Sequence, residues 1–217
     1  MVEFSFIQKI IIYAIPVLFA ITVHEVAHGW VASKLGDPTA RMMGRLTLNP
    51  IKHIDLLGTL IVPIAMYMLS PFILGWAKPV PVDWRNLRRP RQDMAYVALA
   101  GPAANLLMLF LWALLVKIIL VSGWSENGNY ALPFIVMAKV GITINIVLMV
   151  LNLIPIPPLD GSRVLSACMS PQTAMLYNRL EPYGLIIVIL LLFSGILGQF
   201  LFPIVDFLQF LVFVLVQ

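Results

Sequence analysis

This chain of 217 residues has few charged side chains: only 11% of its residues are Asp, Glu, Lys or Arg, and 61% are hydrophobic. A soluble domain usually carries about 25% charged residues. The composition therefore excludes an ordinary soluble domain and predicts an all-α, polytopic membrane protein in a lipid bilayer. The formal net charge of +4 comes from basic loops. Membrane topology explains such loops better than nucleic-acid binding does, so we expect no nucleic-acid partner.

Cysteine and histidine are almost absent. Cys168 is the sole cysteine, which excludes a disulfide framework and a cysteine zinc cluster, so we expect it to be a small packing residue. Only three histidines occur, too few for a membrane oxygenase that binds metal through many histidines. The N-terminus has no small-residue cleavage site, and we expect the first apolar segment to be retained.

Two of these histidines lie in a His-Glu-x-x-His motif, His24-Glu25-Val26-Ala27-His28, inside a long apolar run. At helical pitch both histidines project from one face, so their imidazoles can reach one metal ion. Glu25 is offset by about 100°, as suits a base acting on water beside that metal. Because ionisable groups within membrane segments are costly and usually functional, the motif predicts a zinc site.

Apolar runs separated by Gly, Pro and charged residues predict five to six hydrophobic segments. The first runs from about Phe4 to Leu35 and stops at Gly36, the third is Met94–Val116, and the fourth is Pro133–Leu153. The tail from Tyr183 is long enough for one span plus a shorter piece, broken around Gly195, Gly198 and Pro203. Asn105, in the third segment, is expected to form hydrogen bonds between helices, mainly for packing.

The second stretch, Leu56–Ala77, is long enough to span but is interrupted by two prolines and two glycines. The loops on both sides of it are basic. A single crossing would place these loops on opposite faces, against the positive-inside rule. We therefore favour a re-entrant segment, which returns to the face it left, over a spanning one.

Short β elements are expected close to the motif. Residues 39–49, with a glycine at position 44, suggest a short hairpin or bent strand. Lys78–Val82 has proline at alternate positions, which excludes a helix and predicts an extended backbone. This segment is either a rigid connector or an edge strand that pairs with an unwound substrate peptide.

Two histidines do not complete a catalytic zinc site, because three protein ligands are expected. Asp160 follows a proline-broken stretch, Asn152–Leu159, at the inner end of its segment, and His28 also lies toward the inner end of its own. A buried carboxylate needs a charge partner, which zinc would supply. Asp160 is the preferred third ligand, with Asp55 or His53 in reserve.

These elements together resemble the site-2 protease family of zinc intramembrane metalloproteases. The resemblance rests on the His-Glu-x-x-His helix, the later Asn-x-x-Pro-x-x-Pro-Leu-Asp-Gly run, and the intervening Asn-Pro, Gly-Trp-Ala-Lys-Pro-Val-Pro-Val and Ala-Gly-Pro-x-x-Asn elements. It implies that His24, His28 and Asp160 bind one zinc ion, that Glu25 is the base, and that Asn152 holds the substrate carbonyl or oxyanion. No interval could hold a PDZ or CBS domain, so a short form is expected, with a single domain over residues 1–217. Its catalytic core would cover about 10–165, and the segments at about 183–217 would flank and gate it.

The predicted function is hydrolysis of peptide bonds within the transmembrane segments of protein or peptide substrates. We expect a multi-pass protein of a prokaryotic inner membrane, with the site toward the cytoplasmic face. The alternative is a non-catalytic zinc-binding protein or transporter on the same scaffold. A metalloprotease with glutamate as third ligand is disfavoured, because neither Glu126 nor Glu181 has a fitting context.

Overall fold

The computed structural model describes residues 4–69, 75–124 and 130–216. Its first helix, α1 (Phe6–Leu35), begins at a capping box in which Ser5 and Gln8 exchange side-chain-to-backbone hydrogen bonds. It ends at Gly36, whose φ of 117° lies in the left-handed region that favours glycine. The predicted first segment is therefore confirmed, including its glycine stop.

The fold is built from helices. After α1 these are α2 (Thr39–Met42), α3 (Val62–Leu69), α4 (Pro90–Val121), α5 (Leu132–Asn152), α6 (Asp160–Cys168), α7 (Pro171–Asn178), α8 (Glu181–Phe193) and α9 (Ile196–Val216). Within the described ranges, α1, α4, α5 and α9 are long and apolar enough to cross a membrane. The pair α7 and α8, bent by 61°, makes a fifth crossing if it is one span. The protein is thus an all-α, multi-pass membrane protein, as its composition predicted.

Helices α1, α4 and α5 pack against one another and form the centre of the bundle. Glycine permits the closest approach of α4 and α5, because a Cβ at Gly141 would lie 2.5 Å from the ring of Trp112. Helix α9 packs on the outer side of α5, where the Gln209 amide donates to the Thr143 hydroxyl at 3.0 Å. The motif helix α1 therefore has α4 and α5 as its immediate neighbours.

The stretch between α2 and α4 returns to the level at which it starts. It begins with a turn of π-helix, Leu56–Ile61, and continues into α3. Its two ends are hydrogen-bonded to each other: the Trp76 N–H donates to the Gly58 carbonyl at 3.0 Å, and the Lys78 N–H donates to the His53 carbonyl at 2.9 Å. A segment whose ends meet cannot connect opposite faces, which supports the re-entrant interpretation. Residues 70–74 of this stretch lie outside the described part.

The expected β elements are wrong for the described chain. Residues 39–42 form α2, because Asp37 caps the N–H of Thr39 (3.1 Å) and Pro38 precedes the first helical turn. Gly44 has a positive φ of 62°, but it follows a helix rather than turning a hairpin. The segment Lys78–Val82 forms no helix, as predicted, and it pairs with no strand among the residues described.

Three smaller expectations also change. Cys168 is exposed, because α6 buries the face that carries Ser162 and Ser166. The third segment is longer than the predicted Met94–Val116, because α4 already begins at Pro90. In the tail, the shorter piece is expected to come second, but the second helix, α9, is longer than α8. Gly195, with a φ of 77°, breaks the chain, whereas Gly198 and Pro203 lie inside α9.

Candidate metal centre

Three side chains that are distant in sequence meet at one point of the bundle. The Nε2 atoms of His24 and His28 lie 3.0 Å apart, and each lies 3.3 Å from Oδ2 of Asp160. The three form the group of potential metal ligands found in the described residues. The structure therefore brings together the residues that the sequence predicted as ligands.

Asp160 reaches this point because the chain turns sharply before α6. Residues 153–159 form successive turns with a cis peptide bond between Pro157 and Pro158. The turn packs tightly, since a Cβ at Gly161 would collide with the carbonyl of Leu153. Asp160 is the first residue of α6, and the proline-broken stretch thus delivers the carboxylate to the two histidines.

Hydrogen bonds at the Nδ1 atoms aim both imidazoles. His28 Nδ1 lies 2.7 Å from the backbone carbonyl of Val97, and His24 Nδ1 lies 2.6 Å from Oδ1 of Asn105. Both partners are oxygens that can only accept, so each Nδ1 carries a proton, and in the neutral imidazole each Nε2 keeps a lone pair. The two lone pairs then face each other and Asp160. Such second hydrogen bonds are typical of metal-ligating histidines.

This arrangement fits a metal ion for two further reasons. Oδ2 of Asp160 is buried and has no hydrogen-bond partner in the described structure. The neighbouring helix leaves room, because a Cβ at Gly101 would collide with His28 Nε2 and lie 2.6 Å from His24 Nε2. Three electron-pair donors that converge in a buried place repel one another unless a cation lies between them. Two imidazoles and a carboxylate are a donor set that suits zinc.

Glu25 is held by the segment Lys78–Val82, which lies between the re-entrant stretch and α4. Its Oε2 accepts a hydrogen bond from the backbone N–H of Val80 at 2.7 Å. Prolines at positions 79 and 81 have no N–H, so Val80 carries the one donor of that tripeptide. The segment approaches closely because Gly29 has no side chain: a Cβ there would lie 2.6 Å from Val80 Cγ1.

The same segment is fixed at both ends. At its start, Arg45 donates to the carbonyls of Lys78 (2.9 Å) and Pro79 (3.4 Å). At its end, the Asp83 N–H donates at 2.8 Å to the buried carboxylate of Asp37. Burial raises the pKa of Asp37, but hydrogen bonds from Thr39, Asn86 and Asp83 outweigh it and hold the pKa below its ordinary value. With its first polar groups used inside the chain, the segment is better explained as a rigid connector than as an edge strand.

A cavity of about 650 Å³ opens onto this group. His24, Glu25, His28, Asn152 and Asp160 all line it. Asn152 donates one amide hydrogen to the Leu148 carbonyl at 2.9 Å, which leaves its second amide hydrogen for a ligand. Most other lining side chains are apolar: Ile21, Trp76, Val80, Val82, Trp84, Val97, Leu148, Leu151, Leu185 and Val188.

The reserve ligands lie elsewhere. His53 is buried and its Nε2 lies 2.9 Å from the Thr47 carbonyl, while Asp55 caps the N–H of Gly58 at 2.7 Å. Glu181 forms an ion pair with Arg163 at 3.1 Å on the rim of the cavity, and Glu126 lies outside the described residues. The sequence reasoning missed the contacts of Gly101 and Asn105 with the histidines, although both residues belong to the quoted Ala-Gly-Pro-x-x-Asn element.

Long apolar helices around a His-Glu-x-x-His helix and a distant aspartate define a class of protein, the metalloproteases built into a membrane. Residues 129–195 match the family model described as Peptidase family M50. Across 192 residues the chain is 34% identical to "Putative zinc metalloprotease YwhC" of Bacillus subtilis (strain 168), covering 88% of this chain and 84% of that protein. The chain therefore belongs to peptidase family M50, the site-2 protease family, and is a zinc metalloprotease by family.

Two mycobacterial relatives share the same name, "Putative zinc metalloprotease Rip2". The protein of Mycolicibacterium smegmatis is 29% identical over 202 residues, which is 93% of this chain and 74% of the relative. That of Mycobacterium tuberculosis (strain H37Rv) is 28% identical over 192 residues, 87% of this chain and 69% of the relative. No solved structure gives a significant match to the chain.

Proposed function

We propose that this protein is an intramembrane zinc metalloprotease that cleaves peptide bonds within the transmembrane segments of its substrates. The observation that carries the proposal is the convergence of His24 Nε2, His28 Nε2 and Asp160 Oδ2 beside Glu25, in a cavity within a bundle of apolar helices. These three side chains would hold one zinc ion. When bound in such a site, zinc acts as a Lewis acid toward a carbonyl and makes water more acidic.

The side chains around the cavity have distinct roles in this proposal. Glu25 takes a proton from the attacking water and returns it to the leaving amine, with one carboxylate oxygen steadied by the Val80 N–H. Asn152 directs its remaining amide hydrogen toward the oxygen that becomes negative in the transition state. Losing such a donor costs other enzymes about 10²- to 10³-fold in rate. The apolar walls receive the side chains of an unwound transmembrane segment.

The bounds of the domain and the membrane in which it lies are inferred from the same features of the chain. We infer one membrane-embedded domain over residues 1–217, with a catalytic core at about 10–165. Helix α8 supplies Glu181, Leu185 and Val188 to the cavity wall, which supports a flanking and gating role for the C-terminal helices. The basic loops on either side of the re-entrant stretch support a cytoplasmic-facing site in a prokaryotic inner membrane, where membrane proteins would be the substrates.

The test uses the purified full-length chain in liposomes with a panel of single-span reporter proteins. We expect zinc-dependent cleavage within the reporter span, measured by mass spectrometry of the fragments. Glu25→Gln should keep the zinc and lose the cleavage, whereas Asp160→Ala should lose both. Full cleavage by Glu25→Gln would overturn the assignment. Zinc movement across the liposome membrane without cleavage of any reporter would favour the alternative of a zinc transporter.

A further inference from the structure

Behind His24 lies a row of buried hydrogen bonds that crosses three helices. His24 Nδ1 on α1 lies 2.6 Å from Asn105 Oδ1 on α4. The Asn105 amide donates at 2.9 Å to Asn145 Oδ1 on α5, and the Asn145 amide donates at 2.7 Å to the backbone carbonyl of Gly141. Asn105 and Asn145 have no exposed surface at all. Buried amides among apolar helices are costly unless they are satisfied, and these two are satisfied only as a set.

The direction of this row is fixed from its far end. The Gly141 carbonyl can only accept, so the amide group of Asn145 must point toward it and its Oδ1 must point toward Asn105. Asn105 must then present its amide to Asn145 and its Oδ1 to His24. A second acceptor agrees with this orientation, because the carbonyl of Ala20 lies 3.4 Å from the same amide nitrogen of Asn105. His24 Nδ1 is therefore the donor, and its Nε2 keeps the lone pair that faces Asp160.

Asn145 is required because a lone asparagine has no fixed direction. An asparagine amide presents a donor on one side and an acceptor on the other, so Asn105 alone could rotate and offer a donor to His24. That rotation would favour the opposite tautomer of His24, with the proton on Nε2. With Asn145 in place, the rotation would set Oδ1 of Asn105 against Oδ1 of Asn145 and leave both without a hydrogen.

The tautomer of His28 is fixed in a simpler way. Its Nδ1 lies 2.7 Å from the Val97 carbonyl, and a backbone carbonyl cannot reverse its role. On α4, Val97, Gly101 and Asn105 follow one another at intervals of four residues, so they share one face. The first and last accept from the two histidines, and the glycine between them leaves space for the rings. The two asparagines thus fix the tautomer of His24, as the Val97 carbonyl alone fixes that of His28.

We propose that Asn105 and Asn145 form a relay that carries the fixed polarity of the Gly141 carbonyl to His24 and holds that imidazole in its metal-binding tautomer. Both are positioning residues: neither touches the cavity that the substrate would occupy. The proposal rests on the proposed ligand role of His24. It extends that role to a residue of α5 that lies outside all the sequence elements on which the family resemblance depends.

The test measures metal affinity rather than proteolysis. The full chain is stripped of metal in detergent, and its affinity for zinc is determined by competition with a chromophoric chelator. Loss of a hydrogen bond behind a ligand typically costs about 10- to 100-fold in metal affinity, so Asn105→Leu and Asn145→Leu should each fall in that range. The double variant should be no worse than Asn105→Leu alone, because the two residues act in series. Asn145→Asp should stay within about threefold of wild type, because the neutral carboxylic acid makes both hydrogen bonds of the amide.

A second readout reports the tautomer itself. With only three histidines in the chain, ¹⁵N-labelled histidine gives a spectrum that can be assigned with His24→Ala and His28→Ala. The metal-free wild type should show His24 protonated at Nδ1, and Asn145→Leu should show a mixture of tautomers. Thr143→Val is the matched control: it removes an interhelical hydrogen bond of α5 to α9 and should change neither readout.

Each outcome bears on one proposal. Unchanged zinc affinity in Asn145→Leu, or an unchanged His24 tautomer there, would overturn the relay. If Asn145→Leu does not fold, the pair Asn145→Thr and Asn145→Val replaces it, since only threonine keeps an acceptor for Asn105. Equal affinities in that pair would likewise overturn the relay. Unchanged affinity in His24→Ala would instead overturn the metal centre of the proposed function, and with it the premise of the relay.

Discussion

Gly101→Ala tests the geometry of the metal centre with the addition of a single methyl group. A Cβ at this position collides with Nε2 of His28 and lies 2.5 Å and 2.6 Å from Cε1 and Nε2 of His24. Carbon atoms in good contact are about 3.5 Å apart or more, so the His24 ring must retreat by about 0.9 to 1.0 Å. Metal ligands tolerate errors of about 0.2 Å. The displacement exceeds that tolerance severalfold.

We therefore expect zinc affinity to fall about 100-fold or more in Gly101→Ala, which corresponds to about 2.7 kcal/mol. The helix itself should not suffer, because alanine stabilises a helix interior by about 0.5–1 kcal/mol relative to glycine. The assay is zinc competition with a chelator, together with the helical content from circular dichroism. Ala103→Val, on the exposed side of α4, is the control and should bind zinc normally.

A folded Gly101→Ala that binds zinc within about threefold of wild type would contradict this expectation. Such a result would mean that α4 does not face the two imidazoles at this point. It would also remove one of the two grounds on which the site is judged to fit a metal ion. If the variant loses both its helical content and its zinc binding, the methyl group instead disrupts the packing of α1 on α4.

Two further substitutions probe the segment that holds Glu25, the proposed base. Val80→Pro removes the N–H that steadies Glu25 and should lower kcat/KM about tenfold, the loss expected for roughly one hydrogen bond to a charged group, with zinc content unchanged. Val80→Ala keeps the N–H and should stay near wild type; equal activities in the two variants would argue against this contact. Asp37→Asn tests the anchor at the far end. Because the pKa of Asp37 is lowered on folding, its contribution to stability is complete above about pH 4 and is lost as the pH falls through the lower folded value. The variant should be less stable at neutral pH and lack that acid-dependent step in thermal unfolding, and an unchanged acid step would refute the assignment.

Local signals in the sequence predicted the helices well, because their ends carry their own chemistry. Gly36 stops α1, and Ser170 caps α7 by accepting from the Thr173 N–H at 3.3 Å. The re-entrant stretch followed from the charge of its flanking loops rather than from its apolarity. Its ends are joined at the Lys78 N–H and the His53 carbonyl. The positive-inside rule thus predicted the path of this stretch, which its apolar composition alone did not.

The convergence of His24, His28 and Asp160 could be predicted because each residue has a signature of its own: two histidines at helical spacing, and a carboxylate after a proline-broken helix. The relay could not. Asn105 and Asn145 lie 40 residues apart on different helices, and no periodicity links them. The expected packing role of Asn105 is incomplete for the same reason. Its hydrogen bonds do cross between helices, but the one that matters for chemistry ends on His24.

The edge-strand interpretation of Lys78–Val82 stays a prediction for a related reason. Proline spacing predicts an extended backbone but does not tell which neighbours will use its polar groups. In the fold, Arg45 takes the carbonyls of Lys78 and Pro79, and Glu25 takes the Val80 N–H. Side chains from two other segments thus occupy the polar groups at the start of this segment.

Removal of the metal should cost stability, and the hydrogen-bond pattern explains why. Around the site, His24 Nδ1, His28 Nδ1 and one oxygen of Glu25 are all satisfied within the chain. The two Nε2 atoms and Asp160 Oδ2 are instead held toward one another, and a buried polar atom without a partner costs about 1–3 kcal/mol. A cation is the one partner that satisfies all three at once.

The fold and the metal are therefore coupled, so zinc at about 100 times its Kd should raise the free energy of unfolding by about 2.7 kcal/mol. Thermal unfolding in detergent, with zinc or with EDTA, measures this difference. Asp160→Asn is the informative variant, because it keeps the shape of the side chain but replaces the carboxylate with a neutral amide. We expect its metal-free form to be as stable as the metal-free wild type or more so, and its stabilisation by zinc to be nearly absent. A metal-free wild type as stable as the zinc-bound one would show that zinc does not bind the folded chain in preference to the unfolded one, and the case for a cation between the three atoms would fall.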